Sequence, residues 1–154
     1  MTASRGKQEG RKSGGGGKRR QVAALPWRGE GAAMRILLVS SRETRRWVIP
    51  KGWPMKGKSN FAAAAQEAYE EAGVDGVIAD KPIGEYEYLK RLKSGAAKLV
   101  KVDVFPLQVT GEHAAWPEKG QRTLQWMTPA PTPVRVTFQR LRRRITALWG
   151  RYGR

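Results

Sequence analysis

Three glutamates, Glu67, Glu70 and Glu71, crowd the stretch "QEAYEEAGV" at residues 66–74 of a chain with 30 Lys+Arg and only 13 Asp+Glu. Offsets of i, i+3 and i+4 put all three on one face if the segment is helical. Like charges at that spacing repel by roughly 0.2–0.5 kcal/mol per pair, and anions near a helix C-terminus oppose its dipole. A helix chosen for stability alone would carry lysines there. A cation in front of the face would explain the arrangement, and three hard oxygen donors on a rigid element suit Mg²⁺ or Mn²⁺. From the glutamates alone, the commoner outcome is a solvated acidic face paired with some of the many arginines.

The surrounding elements must position those side chains. "FAAAAQEAYEEA" is dense in alanine and glutamate, both good helix formers, with Ser59 or Asn60 as N-cap and Gly73 as a left-handed C-cap. Ahead of it, "RRWVIP" reads as a short strand ended by Pro50, and "KGWPMKGKSN" as a Gly/Pro-punctuated loop. Gly52 lets backbone approach whatever the helix holds. Lys51 beside it is placed to meet a phosphate. Residues 21–40 read as a hairpin around "RGEGAA", with "MRILLVSS" as a buried strand. Downstream, "GVIADKPIGEYEYLKRL", "KLVKVDVFPLQV" and "RTLQWM" read as strands, with Pro106 interrupting the second. Helices separated by strands without regular alternation predict an α+β mixed sheet with helices packed on it.

Composition sets the frame. The chain has 154 residues and a net charge of +17, which favours anionic partners such as polyphosphates, nucleic acids or anionic surfaces. Residues 1–20 have almost nothing apolar and read as a disordered basic arm; nucleic acid is a secondary expectation for it, behind a solvated tail. No run approaches the roughly 18 apolar residues of a membrane span. There is no cysteine, which removes disulfides and thiolate sites and fits a reducing, cytoplasmic location. The closing segment carries a helical stripe of Phe138, Leu141, Ile145, Leu148 and Trp149, so the expected domain is 21–149, followed by a tail at 150–154.

Residues 52–74 resemble the Nudix box, G-x5-E-x7-R-E-U-x-E-E-x-G-U, in which U is aliphatic. Gly52, Glu67, Glu70, Glu71, Gly73 and Val74 fall in register, with Ala68 as a small stand-in for the first aliphatic. Lys58 stands where the first glutamate belongs and Gln66 where the arginine belongs. "SSRETRRWVIPKGWPMKG" and "WPEKGQRTLQWM" look like the diphosphoinositol polyphosphate phosphohydrolase branch and its bacterial relatives, over about residues 21–128.

The resemblance implies an α/β/α sandwich with a mixed β-sheet. It implies metal-dependent water attack on a phosphoanhydride of a small-molecule polyphosphate. Glu67, Glu70 and Glu71 would be the metal ligands, with the Gly52 carbonyl, and one of the three would serve as general base. A further carboxylate from outside the box would be Glu112 or Glu118. Arg42, Arg45, Arg46, Lys51 and Lys58 would bind substrate, with Lys90, Arg91, Lys93 and Lys98 adding positive charge. Lys58 would weaken a metal it faced and hold a phosphate it faced. The alternative is a catalytically decayed module that binds a polyphosphate, nucleotide or RNA without cutting it. His113 reads as a loop residue, Trp47 and Trp126 as core, and Trp53 and Trp116 as loop-flanking.

Overall fold

A computed structural model describes residues 19–42 and 46–128. Strands β1 (Arg19–Arg28), β2 (Arg35–Ser40), β3 (Trp47–Val48) and β4 (Lys51–Gly52) lead into helix α1 (Asn60–Ala72). Strands β5 (Val74–Ile78), β6 (Gly84–Arg91), β7 (Ala97–Glu112) and β8 (Leu124–Met127) come after it. All eight form one mixed sheet along the path β3-β2-β1-β7-β5, with β4 on β1, β6 on β7 and β8 on β2. The expected hairpin is present, closed by a 3-10 turn at Gly31–Ala33. The first strand starts at Arg19, two residues inside the segment expected to be a disordered arm. The expected closing helix lies outside the described residues, as does the rest of the arm.

The sheet forks twice. Strand β1 pairs with β2 only at Trp27 and Arg28, then parts from it, and β4 fills the opening opposite Val22 and Ala23. Residues expected to be loop are thereby held in the sheet at Lys51 and Gly52. The second fork is on β7, which pairs in parallel with β1 on one edge and switches partner from β6 to β5 on the other. Pro106 lies within β7 rather than ending it. A strand residue points its N–H and C=O to the same edge. The Pro106 carbonyl accepts from the Ala79 N–H at 2.9 Å, so its missing donor faces the gap between β6 and β5, where no ladder bond is lost.

Side chains alternate between two faces. Ala23, Leu25, Trp27, Ile36, Leu38, Val100, Val102 and Val104 form one buried cluster; Val22, Ala24, Leu37, Val39, Phe105 and Leu107 form the other, beneath α1. The helix meets that face through Ala64, Ala68 and Ala72, side chains small enough to let its axis lie close. Trp47 departs from expectation. It is 36 % exposed, on a two-residue strand at the end of the sheet path. Trp126 is half-buried against the α1-side cluster with the Arg28 guanidinium over its ring.

The helix ends are built as their residues dictate. The Ser59 hydroxyl accepts from the Ala62 N–H at 3.2 Å, and Gly73 adopts φ 70° and ψ 25°. The Trp116 ring packs directly where a Gly73 Cβ would stand. Gly73→Ala should therefore cost about 1–2 kcal/mol for the backbone alone. Added displacement of the indole predicts a Tm drop of roughly 5 °C or more by calorimetry. An unchanged Tm would refute this account of the cap.

Candidate active site

Helix periodicity places the acids. Ala64, Ala68 and Ala72 form the core stripe, and Ala63, Glu67 and Glu71 form the next row, along the border between core and solvent. Glu71 is consequently buried, 6 % exposed, and Glu67 half-buried. Glu70 is half-buried too, and accepts a hydrogen bond from Gln66 Nε2 at 2.7 Å, one turn back. Beside this row runs β4. A Cβ at Gly52 would collide with the Glu67 carboxylate, so only glycine leaves that carboxylate its place.

The electrostatics are those of surplus acid. Burial raises the Glu71 carboxyl to about 8; Arg122 opposes the shift, and a hydrogen bond with Glu67 adds to it. Burial likewise raises Glu67, with Glu70 and Glu118 repelling its charge. Two carboxyls that hydrogen-bond to each other must share a proton when no cation stands between them. Among the described residues no three acidic or imidazole groups are gathered tightly enough to hold a metal ion without moving.

A second segment closes over the helix C-terminus. The last carbonyls of a helix lack intrahelical donors. The Glu118 N–H donates to Glu70 O at 3.0 Å and the His113 N–H to Gly73 O at 2.8 Å. That docking brings Glu118, half-buried, to the acidic row. Glu112 does not reach it and pairs instead with Arg28 at 2.7 Å. His113 is an exposed loop residue as expected, paired with Asp75 at 2.7 Å and edge-on to Tyr69.

The basic residues divide. Lys51 is half-buried, its Nζ 4.9 Å from the Tyr88 ring centroid, and the Tyr88 hydroxyl donates to the buried Gln21 Oε1 at 2.6 Å. Burial lowers the Lys51 pKa; Glu71 and Glu67 pull it back up, while Lys90 and Arg122 push it down. Lys51, Lys90 and the acids thus share one electrostatic neighbourhood. Arg42 is exposed and donates to Gln121 Oε1 at 2.8 Å. Arg46 is exposed beside Ser41, whose hydroxyl accepts from its backbone N–H at 3.2 Å. Lys58 is exposed in a turn closed onto Met55 O. The charges acting most on Glu67 and Glu71 are one another, Glu70, Glu118 and Arg122, and not Lys58. Arg45 lies outside the described residues. Sequence reasoning missed Arg122, which pairs with both Glu118 and Glu71. Its one sequence signal is the i,i+4 spacing from Glu118.

A profile of the NUDIX domain matches residues 17–147. The chain belongs to the Nudix family. Among curated relatives, Arabidopsis thaliana Nudix hydrolase 13, mitochondrial, is 33% identical over 99 residues, 61% of this chain and 49% of the relative. Mouse diphosphoinositol polyphosphate phosphohydrolase 3-alpha is 37% identical over 62 residues, 40% of this chain and 38% of that protein. The chain thus spans about half or less of the length of these Nudix relatives. The crystal structure of the C. elegans Ap4A hydrolase superposes with a TM-score of 0.55 at 16% identity, over 83% of this chain and 98% of that one, so the Nudix fold is shared. Among the described residues no helix is long and apolar enough to cross a membrane.

Proposed function

We propose that this Nudix protein is a divalent-metal-dependent hydrolase of phosphoanhydride bonds in small polyphosphate substrates. The observation that carries the reading is the pairing of buried Glu71 with half-buried Glu67 beside Gly52, with Glu118 close by. Burial raises both carboxyls and Glu67 further disfavours the charge on Glu71, a penalty that a bound cation would relieve. The donor set fits a hard cation, Mg²⁺ or Mn²⁺, all its side-chain donors being carboxylate oxygens. Glu67, Glu70 and Glu71 would hold it, with the Gly52 backbone adjacent. When bound, the metal would offset charge on phosphate oxygens and lower the pKa of a water.

The protein's own groups supply the rest. Lys51 places positive charge beside the acids and Lys90 places it beside Lys51, where a phosphoryl group would gather negative charge as it is transferred. Arg42, Arg46 and Lys58 are exposed nearby in the chain and serve outlying phosphates; Arg45 is assigned the same role from its place in the sequence. A carboxylate of the acidic row accepts the proton of the attacking water. Substrates of the kind named for the relatives, Ap4A and a diphosphoinositol polyphosphate, are the first candidates, with nucleoside-diphosphate-linked compounds beside them.

A second reading is a module that binds such a compound without cutting it. The Gln66–Glu70 hydrogen bond favours it, since it engages one of the three glutamates. Phosphate release from that panel, with Mg²⁺, Mn²⁺ or chelator, separates the two. Metal-dependent turnover is the expected result; tight binding with no release from any compound would select the module.

Metal uptake should depend on pH. Glu71 must lose its proton to bind a cation, so apparent Mn²⁺ affinity should rise about tenfold per pH unit below its raised pKa and level off above about 8. Calorimetric titration checks this, and an affinity flat across that range would contradict the shared proton.

A further inference from the structure

Arg122 sits just ahead of β8, its side chain only 12% exposed. Its three guanidinium nitrogens have three separate tasks. Nη1 donates to Ser40 O at 3.1 Å, Nε donates to Glu118 Oε1 at 3.0 Å, and Nη2 stands 3.8 Å from Glu71 Oε2. The backbone beside it is clamped to the end of β2. The Ser40 N–H donates to Thr123 O at 3.0 Å, and the Thr123 N–H donates to Ser40 Oγ at 2.9 Å. The guanidinium is therefore fixed to the sheet, whereas Glu118 rides on the segment that wraps the helix end. Gln66, in the box position of an arginine, brings no charge and bonds Glu70 instead.

We infer that Arg122 is a positioning residue of the carboxylate site: anchored on Ser40, it holds Glu118 beside Glu67 and Glu71 as a fourth acid of the cation site. A planar fork can hold a carbonyl and a carboxylate at once in fixed directions; an ammonium cannot. The inference rests on the metal reading proposed above. It differs sharply from a role as mere countercharge. A nearby positive charge repels a metal ion, so removing a countercharge would tighten metal binding. Removing a positioning group loosens it.

The test is a double-mutant cycle of Arg122→Gln and Glu118→Gln, with Mn²⁺ binding followed by electron paramagnetic resonance of the free ion and kcat measured in parallel. Each single variant should bind Mn²⁺ about tenfold more weakly or worse, the range that outer partners of metal ligands command. The double variant should lose no more than either single one, because Arg122 acts through Glu118. Arg122→Lys keeps the charge, should fold where the glutamine variant does not, and should still bind Mn²⁺ more weakly than the parent. Tighter Mn²⁺ binding in Arg122→Gln, parent-like binding in Arg122→Lys, or additive losses in the double variant would each overturn the inference while leaving the metal site standing. A parent protein that binds no Mn²⁺ and hydrolyses nothing would instead remove the metal reading itself, and this inference with it.

Discussion

Glu71→Gln should abolish turnover and at the same time stabilise the metal-free protein. The two effects share one cause. Glu71 is a buried acid whose charge Arg122, 3.8 Å away, offsets only in part, and burial raises its carboxyl to about 8 against an ordinary value of 4.5. The folded protein binds that proton more tightly than the unfolded chain does. The associated stability is fully present below about pH 4.5 and is lost as pH rises through about 8. Glutamine keeps the shape and the hydrogen bond to Glu67 but has no proton to lose. In chelator, the parent Tm should fall between about pH 5 and about pH 9, and that of the variant should stay nearly level. With Mn²⁺ the order should reverse, because a cation stabilises only the form that binds it. Turnover should drop by more than the roughly 10–100-fold that loss of an outer metal partner costs. A variant that retains turnover, or a parent whose Tm in chelator holds steady across that range, would show that Glu71 is not a partly compensated buried acid on which turnover depends.

The helix and its caps were legible before the fold because they are local. Ser59 and Gly73 bond to neighbours within four residues, and the acidic row follows from helical spacing alone. What escaped reading depends on contacts distant in sequence. Pro106 breaks a strand by the usual rule, but here its edge faces a change of partner that only sheet topology creates. Trp47 is apolar and flanked by strand formers, yet it stands exposed on β3, two residues long at the sheet edge. Glu112 and Glu118 are equivalent candidates by composition. Backbone bonding to Glu70 O brings Glu118 to the acidic row, while Arg28 takes Glu112. Arg122 is one of many arginines in the sequence, and only the pairing of β8 with β2 brings it to Ser40 and the acids. The acidic row was readable because one helix carries it; its contacts with Arg122 were not, because the sheet assembles them.

Gly52→Ala tests that assembly at its narrowest point. Gly52 pairs with Val22 in β4 and is not among the glycines with positive φ, so alanine suits its backbone. The conflict is with one group only, the Glu67 carboxylate, which stands where the new methyl would be. A glutamate end is flexible and half-exposed; it can swing aside at small cost to stability. The catalytic position proposed for it has no such slack, and a displacement of about 1 Å can cost about 10²-fold in rate. The expected pattern is kcat lower by roughly that factor with Tm changed by no more than about 3 °C. Gly73→Ala should show the complementary pattern in Tm, because there the backbone conformation and the Trp116 ring are both at stake. If Gly52→Ala lowers Tm as much as Gly73→Ala does, the collision is being relieved by β4 leaving β1, not by Glu67 moving. If it leaves kcat untouched, the placement of Glu67 against β4 has no part in the chemistry.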